Sequence, residues 1–249
     1  MILSLDGTEA RRTEYAMTRN ASGGARELLS GHLLLDQLEP HELDRLMAFA
    51  RTERYGANEV IFCKGDPGHS MMAIVAGRIK ISSSSPKGKE AVLAILGNGE
   101  ILGEMALLDG KPRSADATAL EPSELLVLHR REFLPFLERN PKICIRLLVI
   151  LSDRLRRTSE LVEDRAFMSL PSRLAKMLLD LAHSDGREGP EGVRIEFGMS
   201  QGNLGALLGA SRESVNKQLG AWQNEGLIRM GRGFLILRQP EDLARIVEV

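Results

Sequence analysis

The apolar positions of this chain change period along its length, and each change predicts a different kind of structure. From Glu27 to Thr52, Leu29, Leu33, Leu34, Leu38, Leu43, Leu46 and Met47 recur at helical spacing, which predicts short helices. Between Arg54 and Leu128 the texture becomes short β-branched or apolar runs: Glu59 to Phe62, Ala73 to Val75, Ile79 to Ile81, Ala91 to Leu96 and Leu125 to Leu128. Glycines at 56, 65, 68, 77, 88, 97, 99, 103 and 110 punctuate them. Strands of this length with turn signals between them predict an antiparallel sandwich or jelly roll. Residues 1 to about 24 show no sustained period and read as a mobile arm, with an ordered strand added to a neighbour as the alternative.

A helical period returns from Pro141 to Glu163, with Asn140 placed as N-cap and Pro141 at the first helical position. Leu148, Leu151, Leu155, Thr158 and Val162 step by three and four, the seam of a paired helix. A lone amphipathic helix lying on the β-roll is the competing reading. Thr158 is the odd member, because a hydroxyl on an apolar seam needs a partner to offset its desolvation. Residues Ala166 to Leu170 read as a hinge. Pro171 then opens a helix bearing Leu174, Met177, Leu178 and Leu181, followed by a Gly/Asp/Pro-rich loop from Ser184 to Gly192 and a short strand from Val193 to Phe197.

The segment from Ser200 to Leu208 predicts a short helix capped by Ser200. Gly209-Ala210-Ser211 turns the chain, and Arg212 to Asn224 forms a second helix that buries Val215, Leu219 and Trp222. Ser211, Arg212, Glu213, Ser214, Asn216 and Lys217 gather near the start of that helix, the end that enters the major groove in a helix-turn-helix. Arg212 and Lys217 suit guanine acceptors, and Glu213 suits a cytosine amine. Past Gly226, Leu227 to Leu237 predicts a hairpin wing with Arg232 at its tip, suited to phosphate or the minor groove. Two amphipathic helices are ordinary taken singly. Their order, with a capped helix, a Gly-small-Ser turn, a charged face and a glycine-tipped hairpin, points to DNA.

Composition narrows the rest. The chain has 249 residues, 43 % hydrophobic and 27 % charged, with a formal net charge of -1, so any basic surface is local. Such a place exists between Ser200 and Arg238, where Arg212, Lys217, Arg229, Arg232 and Arg238 outnumber Glu213 and Glu225. Two cysteines, Cys63 and Cys144, exclude a four-cysteine metal or iron–sulfur site within one chain and suit a reducing cytosol. Charges interrupt the apolar runs, so a cytoplasmic protein with no membrane span is expected. Five scattered histidines argue against a metal-dependent enzyme of jelly-roll type, and Cys63 with His69 is a poor haem pair. The glycines at 198, 202 and 205 lack the βαβ context of a dinucleotide fingerprint. Neither metal nor enzymatic chemistry is expected.

Within the β-region, Gly103 to Ala115 (GEMALLDGKPRSA) combines backbone donors, a serine and one arginine in apolar surroundings. That set suits a phosphate on Arg113 and Ser114, with Glu104 on a sugar hydroxyl. A Glu104–Arg113 pair that merely closes a loop is the equal alternative.

Taken together, the order of β-roll, GE-x-ALL-x-G-x-x-RSA box, long helix and winged helix-turn-helix resembles the CRP/FNR family, most closely its cyclic-AMP receptor branch. The resemblance covers about Leu33 to Leu237. It implies an α+β chain with an N-terminal double-stranded β-helix (jelly-roll) cyclic-nucleotide-binding domain, a long dimerisation helix and a C-terminal winged helix-turn-helix. The implied segments are an arm at 1–26, the β-roll at 27–140, the dimerisation helix at 141–166 and the DNA-binding domain at 167–249. It assigns Gly103, Glu104, Met105, Ala106, Arg113 and Ser114 to the phosphate and ribose, and Ile81, Leu93 and Leu96 to the pocket wall. Arg154, Thr158 and Ser159 come from the helix, the last two meeting the purine from opposite subunits. Arg212, Glu213 and Lys217 resemble that branch's base-reading set, with lysine replacing an arginine and so weakening bidentate guanine reading. Gln201 stands where the family often carries a basic phosphate contact. The implied effector is cyclic AMP, or cyclic GMP, and the implied partners are palindromic double-stranded DNA, RNA polymerase and a second copy of the chain. A regulator of the same fold that uses another effector, or none, is the alternative.

Overall fold

The computed structural model describes residues 39–247 except 87, 89 and 197–199. The N-terminal arm, the leucines from Leu29 to Leu38, and Phe197 and Gly198 lie outside the described residues. Two compact units are present. Among the described residues, one takes 39–81 together with 95–151, the other 82–94 together with 152–247, and the division falls within the long helix.

The first unit begins with α1 (Pro40–Phe49), closed at its start by a reciprocal capping box between Glu39 and Glu42. Then come β1 (Arg51–Tyr55), β2 (Val60–Phe62), β3 (Ser70–Ala76), β4 (Ile79–Ser84), β5 (Glu90–Leu96), β6 (Ile101–Leu102), α2 (Glu104–Asp109), β7 (Asp116–Ala119), β8 (Ser123–His129) and α3 (Arg130–Arg139). The strands form two four-stranded sheets, in the orders β1-β8-β3-β6 and β2-β7-β4-β5. The β1–β8, β3–β8, β3–β6 and β2–β7 pairs are antiparallel. The expected jelly roll is therefore present.

Strand β3 is buried from Ser70 to Val75, so both of its faces are covered. Met71, Ala73 and Val75 join Leu126 and Leu128 of β8 in a cluster with Leu43, Leu46, Phe133, Leu137, Ile143 and Leu147. Met72, Ile74, Leu125 and Val127 are buried as well. A strand buried on both sides loses its alternation, which is why these segments read as continuous apolar runs.

Three features correct the sequence reading. Arg51 and Thr52 belong to β1 rather than to a helix, because their partner is the backbone of β8 and not an apolar face. Helix α3 went unread, and it keeps Pro135 inside it while burying Phe133 and Leu137. Asn140 serves two helices: it precedes the helix that starts at Pro141, its carbonyl accepting from Ile143 N at 3.0 Å, but it is also the C-cap of α3, and its side-chain amide donates back to the Phe136 carbonyl at 2.8 Å.

The long helix α4 runs Pro141–Phe167. Ile143 and Leu147 are buried in the first unit's core. Ile145, Leu148, Leu155 and Val162 are instead 62 %, 63 %, 68 % and 63 % exposed, at helical and heptad spacing. The Thr158 hydroxyl finds its partner locally, donating to the Arg154 carbonyl one turn back at 2.8 Å.

The second unit continues with α5 (Leu170–Asp185), β9 (Arg187–Gly189), β10 (Gly192–Glu196), α6 (Gln201–Leu208), α7 (Arg212–Asn224), β11 (Ile228–Met230), β12 (Phe234–Leu237) and α8 (Pro240–Val247). The loop expected from Ser184 to Gly192 is in part a hairpin, since β9 pairs with β10 at the edge of the sheet β11-β12-β10-β9. Leu174, Leu178, Ile195, Leu204, Val215, Leu219, Trp222, Leu235, Leu237 and Leu243 form its core. Phe133 is fully buried where α3 meets the β3–β8 face. Phe133→Ala is therefore expected to lower unfolding free energy by about 3–5 kcal/mol in urea titrations.

Candidate effector site and DNA interface

The loop between β6 and β7 is organised around one buried cation. Arg113 is 5 % exposed. Its Nη1 donates to the carbonyls of Ser70 at 2.7 Å and Gly103 at 2.9 Å, and its Nη2 to the Ser70 hydroxyl at 3.0 Å. The guanidinium carbon lies 4.3 Å from the centre of the Phe62 ring, within cation–π range. Burial pulls the guanidinium below its ordinary pKa, while Glu104 and then Asp66 pull it back up. Its main chain is tied as firmly, with Arg113 N donating to Asp66 O and Gly65 N to Arg113 O, both at 2.9 Å.

Glycine is required at 103 for two reasons. Its φ of 76° is left-handed, and a Cβ there would lie 2.2 Å from Arg113 Nη1. Gly68 packs as closely from the other side, where a Cβ would fall 2.2 Å from that of Ala106. Between these glycines Glu104 is buried at 1 % exposure and Ala106 at 3 %. Ser114 is exposed, 3.7 Å from the Met105 sulfur. The structure thus brings Gly103, Glu104, Met105, Ala106, Arg113 and Ser114 around one loop. Hydrogen bonds from the guanidinium go to Ser70 and Gly103, while Glu104 acts on it through charge. Of the wall residues, Leu96 is buried, Ile81 half-buried and Leu93 40 % exposed. Thr158 and Ser159 are exposed on α4 and Arg154 is half-buried there.

One atom bears on what this loop holds. Arg113 Nε is buried with no hydrogen-bond partner among the described residues. A donor left over on a desolvated guanidinium is costly unless an acceptor completes it, and an anionic oxygen is the acceptor that also offsets the charge. The residues present therefore fit a phosphate. Sequence reasoning missed Phe62 and Ser70. The former was visible as the aromatic end of an apolar run, but Ser70 carried no signal.

The second unit carries the other element. Ser200 caps α6, its hydroxyl accepting from Asn203 N at 3.1 Å. The helix ends at Gly209, with φ of 68°. Gly205 is buried at the crossing with the next helix, where a Cβ would stand 2.9 Å from the Ala210 carbonyl. Ser211 caps α7 by accepting from Ser214 N at 3.1 Å. That helix buries Val215, Leu219 and Trp222 and exposes Arg212, Glu213 and Lys217 beside the capping pair Ser211 and Ser214. Asn216 departs from the expected face. It is half-buried, and its Oδ1 is withdrawn from solvent without a hydrogen bond among the described residues, because Asn216 follows Val215 round toward the core. Gln201 is likewise half-buried.

The wing is fixed from two sides that the sequence reading overlooked. Gln223 Oε1 accepts from Met230 N at 3.1 Å, and the Arg194 guanidinium stacks 3.9 Å over Phe234. Arg232 sits exposed between Gly231 and Gly233 at the tip. A capped helix exposing Arg212 and Lys217 and an arginine-tipped hairpin form a surface suited to a polyanion, while Arg229 is paired with Glu191 at 2.7 Å.

A β-roll with a phosphate-fitting arginine, joined in one chain to a winged helix-turn-helix, defines a class of DNA-binding protein that carries a separate small-molecule-binding domain. The family model "Cyclic nucleotide-binding domain" matches residues 52–140, and "Crp-like helix-turn-helix domain" matches 172–246. The chain is 31 % identical over 219 residues to the "CRP-like cAMP-activated global transcriptional regulator" of Mycobacterium tuberculosis, covering 88 % of this chain and 98 % of that protein. It is 33 % identical over 218 residues to the "Cyclic AMP receptor protein" of Thermus thermophilus, again covering 88 % and 98 %. Among solved structures, the c-di-GMP responsive global regulator CLP of Xanthomonas campestris aligns with a TM-score of 0.71 at 25 % identity, covering 80 % of this chain and 99 % of CLP. The chain belongs to the CRP/FNR family and is a DNA-binding transcription regulator with a cyclic-nucleotide-binding domain. The second match reaches past Leu237 to include α8, whose Leu243 is fully buried, so the resemblance extends further than the sequence reading placed it. No described helix is long and apolar enough to cross a membrane.

Gly103→Ala combines a left-handed backbone with a clash on Arg113. It is expected to cost about 1–2 kcal/mol in unfolding free energy from the backbone alone, measured in urea, and to weaken anion binding at this loop.

Proposed function

We propose that the chain is a homodimeric transcription regulator whose operator affinity is switched by a cyclic nucleotide, cyclic AMP first, held in the β-roll. The observation that carries this reading is the buried Arg113 with its unsatisfied Nε beside Gly103 and Ser114. In this reading Arg113 and Ser114 hold the phosphate and Glu104 takes the ribose. Thr158 and Ser159 are the purine contacts, one from each subunit, with Ile81, Leu93, Leu96 and Arg154 completing the pocket. A ligand shifts such an equilibrium only by its different affinity for the two states, typically about 1–3 kcal/mol of coupling.

The heptad-spaced exposed residues Leu148, Leu155 and Val162 support pairing through α4, since apolar side chains at about two-thirds exposure gain by burial against a second copy. Paired subunits carry two recognition helices. A palindromic operator with half-sites about 34–36 Å apart matches them. Ser200, Gln201, Ser211, Arg212, Glu213, Ser214, Asn216, Lys217 and Arg232 are its proposed contacts, those of Asn216 through its amide nitrogen. RNA polymerase is the proposed protein partner, and the cytoplasm the proposed location.

Calorimetry with cyclic AMP, cyclic GMP and c-di-GMP tests the effector. Saturable heat with cyclic AMP supports the reading. Heat with c-di-GMP alone, the molecule to which CLP responds, transfers the site to another effector. Arg113→Leu, checked for folding by circular dichroism, is expected to abolish the effector-dependent gain in operator affinity; an undiminished gain overturns the assignment. Leu155→Asp is expected to convert the dimer to a monomer in sedimentation at micromolar concentration, and to lose operator binding with it.

A further inference from the structure

Between the end of α4 at Phe167 and the start of α5 at Leu170 there are only Met168 and Ser169. So short a joint restricts reach but leaves torsional freedom, and side chains decide its angle. Two basic side chains bridge it and a third holds the joint itself. Lys176 Nζ on α5 lies 2.8 Å from both Asp164 Oδ1 and Asp164 Oδ2 on α4, in a pair only 32 % and 20 % exposed. Arg173 Nη1 donates to the Met168 carbonyl at 2.6 Å. Arg165 Nη2 donates to the Leu207 carbonyl at 3.2 Å, at the C-terminal end of the first helix of the helix-turn-helix.

Charge around Lys176 makes its position consequential. Asp164, then Asp180 and Glu160, all favour its protonated form. Asp180 in turn is raised by burial and by the neighbouring Asp164 and Glu160, with Lys176 and His183 opposing. One ammonium therefore stands among three carboxylates drawn from both sides of the joint. Without it, the carboxylates on α4 and α5 would face one another as like charges. An exposed surface pair would carry little consequence. This one is half-sequestered, two-pronged and placed across the two-residue joint between α4 and α5.

We propose that Lys176 and Asp164 are positioning residues that set the angle of the helix-turn-helix domain on the long helix, with Arg165 as a second tie to its turn. Only the operator arm of the following test rests on the reading of residues 200–238 as the DNA interface.

The test uses the full chain and the variants K176Q, K176R and D164N, each checked by circular dichroism. Chymotrypsin reports the joint directly, because Phe167 is 85 % exposed there and cleavage requires the adjoining turn to open. K176Q and D164N are expected to be cut after Phe167 about five- to tenfold faster than the parent, with K176R close to parent. In fluorescence anisotropy with a palindromic duplex, K176Q is expected to shift operator affinity by about fivefold or more, and K176R to restore it. Parental cleavage rates in both K176Q and D164N overturn the proposal, as does K176R behaving like K176Q. Faster cleavage with unchanged operator affinity overturns the positioning role. If the parent binds no duplex, the DNA reading fails instead, and the cleavage arm still decides whether the pair holds the joint.

Discussion

A single desolvated guanidinium governs the first unit. Arg113 costs free energy to bury, and it recovers that cost by organising the segments that surround it: the turn around Asp66, the start of β3 at Ser70, and Gly103 ahead of α2. The glycines at 68 and 103 exist in service of that packing, since a methyl group at either would strike Ala106 or Arg113. Stability and ligand chemistry are consequently hard to separate at this loop. The same donors that tie the chain together leave one Nε over, and that residue of unmet demand is what an anion would answer.

The second unit is assembled on another principle. Ser169, Ser200 and Ser211 each begin a helix by accepting from the backbone three residues on, so helix starts are fixed by local hydrogen bonds rather than by deep burial. Gly205 and Gly209 then allow the two helices to cross closely and the chain to turn. The wing is braced by Gln223 from the recognition helix and by the Arg194–Phe234 stack from within the sheet.

Legibility in the sequence followed the physics of each signal. Helix α7 was readable to the residue because a serine cap, an apolar stripe and a polar end coincide. The box from Gly103 to Ser114 stood out as an arginine amid glycines and apolar residues, but its residues alone left a phosphate site and a Glu104–Arg113 pair equally open, and the guanidinium's hydrogen bonds to Ser70 and Gly103 were not legible. Strand β1 was not, as its charged sequence has no buried face and its pairing is made by backbone alone. Helix α3 is interrupted in sequence by Pro135, a poor helix residue, and is held by the tertiary packing of Phe133 and Leu137. Ser70, which gives Arg113 both a carbonyl and a hydroxyl, lay in another strand and could be found only once the chain was folded.

Helix α7 divides its labour by face. Val215, Leu219 and Trp222 carry the packing, and Arg212, Glu213 and Lys217 carry almost none. Surface substitutions away from caps and cores usually stay within about 0.5 kcal/mol of neutral. The outward positions are thus free to drift at little thermodynamic penalty, and if they are the base contacts proposed above, a lineage acquires new target sequences by exchanging them while the scaffold beneath stays unaltered.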